Sequence, residues 1–190
     1  MSTQNTIHAE ILGRDVAFDY SESWVGYSLF FMRVTMGWVL FQGGVTKLIT
    51  YLDGDPTNNW TASGFLLNAI PEGNPLMGFW GAMAGSPLID ALNMWGLTLT
   101  GLALIVGAFV RWSAFWGAMM MLFYWLAALQ GGLLAGLPLE HGWVVDDHLV
   151  YAFLLFGLGA FGAGRILGVD AWLERTSIVE NNRWLRLFLG

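Results

Sequence analysis

Residues 24–47 have the sequence WVGYSLFFMRVTMGWVLFQGGVTK. The stretch exceeds the length of about 20 apolar residues that a bilayer-spanning helix needs. Arg33 and Lys47 fall on one stripe of this helix, because their spacing is close to a whole number of turns. Gly37 and Gly44 lie on the same stripe and allow another helix to approach closely. Since an arginine at hydrocarbon depth costs roughly 2.5–3.5 kcal/mol on insertion scales, we expect the stripe to face the interior of a helix bundle.

The composition is that of a membrane protein. Of 190 residues, 56% are hydrophobic and 12% are charged, whereas a soluble domain carries about 25% charged residues. The net charge of −6 argues against nucleic acid as a partner. The chain contains no cysteine, which excludes disulfides, thiolate metal sites and cysteine-ligated iron–sulfur clusters. A redox role would therefore use a bound cofactor or a partner subunit.

Four nearly uncharged stretches are each long enough to cross a bilayer. They predict an all-α fold, an integral membrane four-helix bundle. The predicted spans lie near residues 24–49, 87–110, 112–134 and 148–169. Together they form a membrane domain at residues 23–170, between a polar tail at residues 1–22 and an amphipathic tail at residues 171–190.

The segment between the first two predicted spans, residues 51–86, is rich in tryptophan, glycine and proline. It predicts two short apolar helices, at 60–70 and 76–84, with Asn74 and Pro75 as the start of the second. Both are too short to span a bilayer, so we expect them to lie at the interface on the outer side. They form either a surface cover for the bundle or a lid on a ligand site.

The distribution of arginine predicts the topology, because cytoplasmic loops carry an excess of lysine and arginine. The arginines near helix ends on one predicted side are Arg111, Arg165, Arg175, Arg183 and Arg186. The loops at 51–86 and 135–147 contain neither arginine nor lysine. We therefore expect a multi-pass protein of the cell membrane with both termini in the cytoplasm. Residues 183–188 are expected to lie on an anionic membrane surface.

The topology brings Lys47 and His148 to the same membrane depth, at the outer ends of the first and last spans. In a four-helix bundle these two spans are commonly neighbours. His148 can exchange protons near neutral pH, Asp147 can orient its ring, and Lys47 can stabilise negative charge or attract a small oxyanion. These three residues are the candidate catalytic residues. The candidate ligand-binding residues are Tyr151, Trp60, Gln42 and Gln130.

A purely structural interpretation of the same residues stays open. In it, Asp147 caps the last span, His148 sits at the interface, and the Lys47 side chain extends to lipid headgroups. Arg33 would then pair with an acid or with carbonyls at a helix end; the alternative is contact with a lipid phosphate or a ligand anion. The predicted buried charges are Arg33, Arg111 and Arg165.

Haem and metal sites are not expected. Two axial histidines should face each other from different helices, whereas His141 and His148 share one loop and helix end. His141 and Asp146 also lack partners at a recognised metal-ligand spacing.

Three stretches carry a resemblance to a known family. They are RVTMGWVLFQGGVTKL at 33–48, LTLTGLALIVGAFVRWSAFWGAMMML at 97–122 and VVDDHLVYAFLLFGLGAFGAGRILGVDAWLER at 144–175. In this order the chain resembles the DoxX family of small four-helix membrane proteins. Two further stretches, GFLLNAIPEGNPLMGF at 64–79 and SPLIDALNMWG at 86–96, resemble haloarchaeal members.

The resemblance implies a role at the quinone level. The family includes the DoxD-type subunit of thiosulfate:quinone oxidoreductase, an archaeal enzyme in which this subunit works with a second, externally facing subunit. By that resemblance we expect a membrane subunit of a quinone-coupled oxidoreductase that binds quinone, a small sulfur oxyanion, or both, near the outer face. The alternative is a non-enzymatic scaffold that anchors a redox or other partner. Membrane lipid is an expected partner, and self-association into a homo-oligomer is compatible with either function.

Overall fold

The structure, a computed structural model, describes residues 4–129 and 145–190. This part of the chain is mostly helical, and one β-hairpin precedes the helices. The hairpin strands are β1 (Gln4–Ile11) and β2 (Arg14–Ser21). The helices are α1 (Glu22–Leu48), α2 (Ser63–Asn68), α3 (Met77–Met83), α4 (Pro87–Val106), α5 (Val110–Ala128), α6 (Asp147–Ala160), α7 (Asp170–Leu173) and α8 (Ser177–Asn181).

The four longest described helices pack in a cycle. Helix α1 contacts α4, α4 contacts α5, α5 contacts α6, and α6 contacts α1. Their shared core contains fully buried leucines at positions 104 and 155, and buried methionines from α1 and α5. Within the described residues, two helical stretches are long and apolar enough to cross a membrane, Glu22–Tyr51 and Pro87–Val106, and Asp147–Ala160 is a shorter apolar helix. The prediction of a mainly helical fold is therefore confirmed.

The hairpin is absent from the predicted all-α fold, in which residues 1–22 form a polar tail. Its strands pair in antiparallel register, with Ile7 opposite Phe18. The connecting residues Leu12 and Gly13 both have positive φ, at 53° and 74°, which is the turn that matches the twist of a two-residue hairpin. Apolar residues alternate with polar ones along both strands. This period of two indicates β-strands, although the polar composition of residues 1–22 predicts a tail.

Helix α4 and helix α6 end earlier than predicted. Helix α4 ends at Val106 rather than 110, because Gly107 takes a left-handed conformation with φ of 72° and the Ala108 N–H bonds back to the Ala103 carbonyl. Helix α6 ends at Ala160 rather than 169. The residues that follow it form a tight turn and then a short 3₁₀ segment, Ala163–Arg165. The predicted end of the third span, at 134, lies outside the described residues.

The glycine stripe of α1 packs against α4. A side chain at Gly37 would come within 2.9 Å of the Gly101 carbonyl oxygen, and one at Gly44 within 2.5 Å of the Thr98 amide nitrogen. The stripe therefore faces the bundle interior, as expected, but its neighbour is α4 rather than the last span. Close backbone approach of two helices is what small residues permit.

The outer segment contains α2 and α3 where two short helices are predicted. Asn74 lies between them and is buried. Its side-chain amide donates hydrogen bonds to the carbonyls of Leu126, Ala127 and Leu129, at 2.8–3.0 Å, and its carbonyl oxygen accepts from the Leu76 amide. Since the last carbonyls of a helix have no partner within it, Asn74 fixes the outer segment to the end of α5.

We predict that Gly44→Ala destabilises the fold and that Gly43→Ala does not. The Gly44 methyl would meet the backbone of α4, and overpacking of this kind typically costs about 1–3 kcal/mol. The Gly43 methyl would lie 3.9 Å from the Leu97 side chain, an ordinary contact. Thermal unfolding in detergent, followed by circular dichroism, measures both. Equal melting temperatures for the two variants would contradict the close approach of α1 to α4.

Candidate functional site

Arg33 lies fully buried at the carbonyl end of α4. Its guanidinium donates hydrogen bonds to Leu104 O at 3.0 Å, Ile166 O at 3.1 Å and Leu167 O at 3.4 Å. The Nε atom is buried without a partner among the described residues. A cation suits this place because the C-terminus of a helix carries partial negative charge. Of the two alternatives for Arg33, the contacts favour the structural one, with helix carbonyls as acceptors.

Asp170 accepts hydrogen bonds from the amides at the start of α5, just as Arg33 donates a hydrogen bond to a carbonyl at the end of α4. This carboxylate is fully buried and accepts from the amides of Phe109 at 2.7 Å and Val110 at 3.0 Å. It also accepts from the Gly190 amide at 3.0 Å. An anion suits the N-terminus of a helix. The turn between α4 and α5 is thus held by a cation on one side and an anion on the other, both from distant parts of the sequence.

The other two arginines predicted to be buried are less enclosed. Arg111 is partly buried and donates to Gly159 O at 3.3 Å. Arg165 is exposed, which corrects the prediction, because α6 ends before it and the short 3₁₀ segment brings it to the surface. It forms an ion pair with Glu174, with 2.6 Å between Nη2 and Oε1. This hydrogen-bonded pair lowers the pKa of the Glu174 carboxyl below its usual value of 4.5.

Lys47, at the opposite end of α1, contacts its own helix and the outer segment. Its ammonium donates to the Gly43 carbonyl at 2.6 Å and lies 5.2 Å from the centre of the Trp60 ring. Trp60 is fixed in turn, since its amide donates to the Thr50 hydroxyl and its carbonyl accepts from the Tyr51 hydroxyl. The Lys47 charge is therefore directed to a carbonyl and an aromatic face, an arrangement that stabilises a cation.

His148 lies in the first turn of α6 beside two carboxylates. Its Nδ1 is 2.9 Å from Asp146 Oδ2 and 3.3 Å from Asp147 Oδ1. Asp146 also caps the helix, because its Oδ1 accepts from the Leu149 amide. The residue that both caps α6 and orients His148 is thus Asp146. The catalytic interpretation of the sequence assigned the orienting role to Asp147, and the structural interpretation assigned it the capping role. The Asp147 side chain is exposed and makes the longer of the two contacts with His148.

A chain of polar and aromatic contacts leads from His148 into the helices. The His148 ring lies 5.5 Å from the Tyr124 ring of α5. The Tyr124 hydroxyl accepts a hydrogen bond from the Asn93 side-chain amide of α4, and its ring meets that of Phe65 of α2 edge-on at 6.4 Å. The Asn93 Oδ1 atom is buried and has no partner within the described residues. A buried carbonyl oxygen without a donor is rare in proteins and needs an explanation.

The remaining candidates are spread over the outer end. Tyr151 is partly buried and packs against the shared core, Gln42 is exposed, and Gln130 lies outside the described residues. Across residues 4–129 and 145–190, no hydrogen bond, ion pair or ring contact joins Lys47 to His148. The structure therefore associates Lys47 with Trp60, and His148 with Tyr124 and Asn93.

The carboxylates of Asp146 and Asp147 and the His148 ring could together hold a cation, because one ligand atom from each lies within 4.8 Å of the others. A metal site is not expected from the sequence. In the structure Asp146 caps the helix start, and both carboxylates approach the same ring nitrogen of His148, at 2.9 and 3.3 Å.

Sequence reasoning missed the roles of Asp170, Asn74 and Tyr124, and it placed Asn93 at the outer polar end of the bundle without a partner. Asp170 ends the motif GAGRILGVD at 162–170, but its role depends on a turn about 60 residues earlier in the chain. Asn74 is predicted to start a helix, and its bonds to α5 come from tertiary packing. Tyr124 and Asn93 lie inside apolar stretches, and a lone polar residue there is the one signal that could have identified them.

We predict that Arg33→Leu destabilises the protein strongly. The change would remove three hydrogen bonds and the attraction between Arg33 and the buried Asp170 carboxylate; removing one partner of a buried charge pair typically costs about 3–5 kcal/mol. Arg175→Gln, at an exposed arginine, serves as the matched control and should change stability by less than about 0.5 kcal/mol. Denaturant titration in detergent measures both, and an unchanged midpoint for Arg33→Leu would contradict its structural role.

We predict a small pH-dependent contribution from Glu174. Its pKa is lowered in the folded state, so the stabilisation is complete well above pH 4.5 and is lost as the pH falls below that value. Because both side chains are partly exposed, the pair should contribute no more than about 1 kcal/mol. Melting temperatures of the wild type and Glu174→Gln should differ at pH 7 and converge near pH 3. A constant difference across this range would rule out the ion pair as its source.

Comparison of this chain with models of known protein families, with curated proteins and with solved structures finds no match.

Proposed function

We propose that the protein is an integral membrane protein in which α1, α4, α5 and α6 all cross the bilayer. The support is the apolar character of the outer surface of these helices. Large side chains are at least half exposed on each of them, including Trp38, Leu88, Leu92, Trp95, Leu99, Phe115, Phe153 and Phe156. A helix that is apolar both inside and outside its bundle is typical of a membrane span. A soluble protein rarely exposes apolar surface on this scale.

In the proposed orientation, the end of the bundle that contains Arg33, Arg111 and Arg165 faces the cytoplasm, together with both termini. The arginines of loops and tails support this orientation, since positive charge accumulates on the cytoplasmic side. Lys47, Trp60 and the outer segment would then face the exterior.

We further propose that the protein is the quinone-binding membrane subunit of an oxidoreductase. The observation that carries the proposal is the chain of contacts from His148 through Tyr124 to Asn93, with a buried amide oxygen that lacks a donor. Residues of this kind fit a quinone headgroup, because the Tyr124 and Asn93 groups can bond to its oxygens and an aromatic ring such as that of Tyr124 can pack against it. The resemblance to the DoxX family points to the same ligand.

A bound quinone would supply the redox chemistry, as an acceptor of two electrons and two protons. The protein's own residues would position the headgroup and handle protons. The Asn93 oxygen would accept a hydrogen bond from a hydroxyl of the reduced headgroup, which satisfies the orphaned atom. His148, held by Asp146 near the surface, would exchange protons with solvent. Lys47 is not needed in this site, and an oxyanion there would compete with its present contacts.

A scaffold function remains the second candidate, and the hairpin favours it. The Arg33 guanidinium lies at the C-terminal end of α4. Helix α1 begins eleven residues before Arg33, so its first turns extend about 16 Å beyond the end of α4. The hairpin lies at the start of this extension, with Leu12 almost fully exposed at its tip. An apolar hairpin tip of this kind could anchor a partner protein.

The test is solvent extraction of the gently purified protein, with identification of bound quinone. We predict that His148→Ala and Tyr124→Phe each lower quinone retention more than tenfold, equivalent to about 1.4 kcal/mol. Lys47→Gln is the matched control from the same end of the bundle and should retain quinone.

Circular dichroism must show that all three variants remain folded. Equal loss of quinone from Lys47→Gln would contradict this site and favour the site predicted from the sequence, which includes both Lys47 and His148. A wild-type protein that contains no quinone but copurifies with a second protein would favour the scaffold function.

A further inference from the structure

A series of aromatic rings joins the C-terminal tail to the first turns of α5. The rings of Trp184 and Phe188 are 5.9 Å apart, those of Phe188 and Trp112 are 5.0 Å apart, and those of Trp112 and Trp116 are 5.6 Å apart. The three tryptophans are each about half exposed or more. We call these four residues, with Arg183 and Arg186, the tail patch.

The tail patch is a fixed surface because the tail is bonded to α5. The Trp112 amide donates to the Phe188 carbonyl at 3.3 Å, and the Arg111 guanidinium donates to the Arg186 carbonyl at 3.4 Å. Leu189, the next residue of the tail, is buried. The aromatic side chains are therefore held outward on an ordered backbone.

The charge at the patch is positive. Arg183 and Arg186 are both exposed. The acid nearest to Arg186 is Glu174, whose carboxylate already accepts three hydrogen bonds from Arg165, at 2.6–3.1 Å. Glu180 is exposed on α8 and is the other acid between residues 174 and 190. Two exposed guanidinium groups in the same short segment as Trp184 and Phe188 present a site for an anion with an apolar portion.

We infer that the tail patch binds a membrane phospholipid with a net negative headgroup. The phosphate would lie against Arg183 and Arg186, and an acyl chain would follow the rings from Trp112 to Trp116, about 6 Å deeper along α5. Tryptophan at this depth is typical of the membrane interface, and arginine near an anionic leaflet strengthens binding to it. The inference rests on the proposed membrane crossing and is independent of the quinone site.

The experiment is native mass spectrometry of the full chain, purified in mild detergent and incubated with phosphatidylglycerol or phosphatidylcholine at equal concentration. We expect the wild type to retain phosphatidylglycerol at least tenfold more strongly than phosphatidylcholine. Arg183→Gln combined with Arg186→Gln should abolish this preference, whereas the same two positions changed to lysine should keep most of it. Arg14→Gln, at the turn of the hairpin, is the control for loss of positive charge elsewhere.

Equal retention of the two lipids by the wild type would overturn the inference. A preference for phosphatidylglycerol that persists in the double glutamine variant would also overturn it, as would an equal loss of the preference in Arg14→Gln. If the double variant does not fold, the single changes at Arg183 and Arg186 decide, each expected to weaken the preference at least threefold. Alkaline carbonate extraction of cell membranes tests the membrane crossing separately. A chain released by carbonate would refute that crossing, whereas a chain that stays in the membrane without lipid preference would refute the lipid site alone.

Discussion

The rest of the fold depends on how the turn between α4 and α5 is held. Where two helices meet at a tight turn, one end presents unpaired carbonyls and the other presents unpaired amides. In the interior of an apolar protein these groups cannot be left to water. Here Arg33 supplies donors to the carbonyl end and Asp170 supplies acceptors to the amide end. Each charge also has the sign that the adjoining helix dipole favours.

This arrangement links four distant parts of the chain. Arg33 belongs to α1, and its other acceptors are carbonyls of the segment after α6. Asp170 also binds the Gly190 amide, so the C-terminal tail returns to the same place. The amide of Asp170 donates to the Gly107 carbonyl at 2.8 Å, which adds a backbone contact. The turn, the tail and α1 should consequently unfold as one cooperative unit.

The two ends of the helix cycle differ in chemistry. At the Arg33 end, charged groups are directed at helix ends and serve the fold. At the other end, Asn93 and Tyr124 bring polar atoms between the helices, and one amide oxygen is left without a donor in the described part of the chain. A polar atom buried without a partner destabilises the fold by roughly 1–3 kcal/mol. Its retention is easier to explain if a ligand supplies the missing hydrogen bond.

Length, composition and spacing were sufficient for the mainly helical fold, for α1 and for the inward-facing stripe of Arg33, Gly37 and Gly44. These features depend on local apolar patterns, which a sequence displays directly. The same patterns identified Lys47 and His148 as residues of interest, because charges are rare beside apolar stretches. They could not show that Lys47 turns to Trp60, or that Asp146 rather than Asp147 supports His148, because neighbouring carboxylates are equivalent until the helix start fixes their directions.

Tertiary structure alone decided the remaining features. One such feature is the packing of α1 on α4, and another is the position of Arg33 at the level of a helix end. Both depend on the position of α1 along the axis of its neighbour. Spacing within α1 contains no information about that displacement. The roles of Asp170 and Asn74 likewise depend on groups 50 or more residues away. The sequence by itself determined which segments are helical and which residues are unusual, whereas packing decided what those residues touch, because contact between distant segments is set by the whole fold.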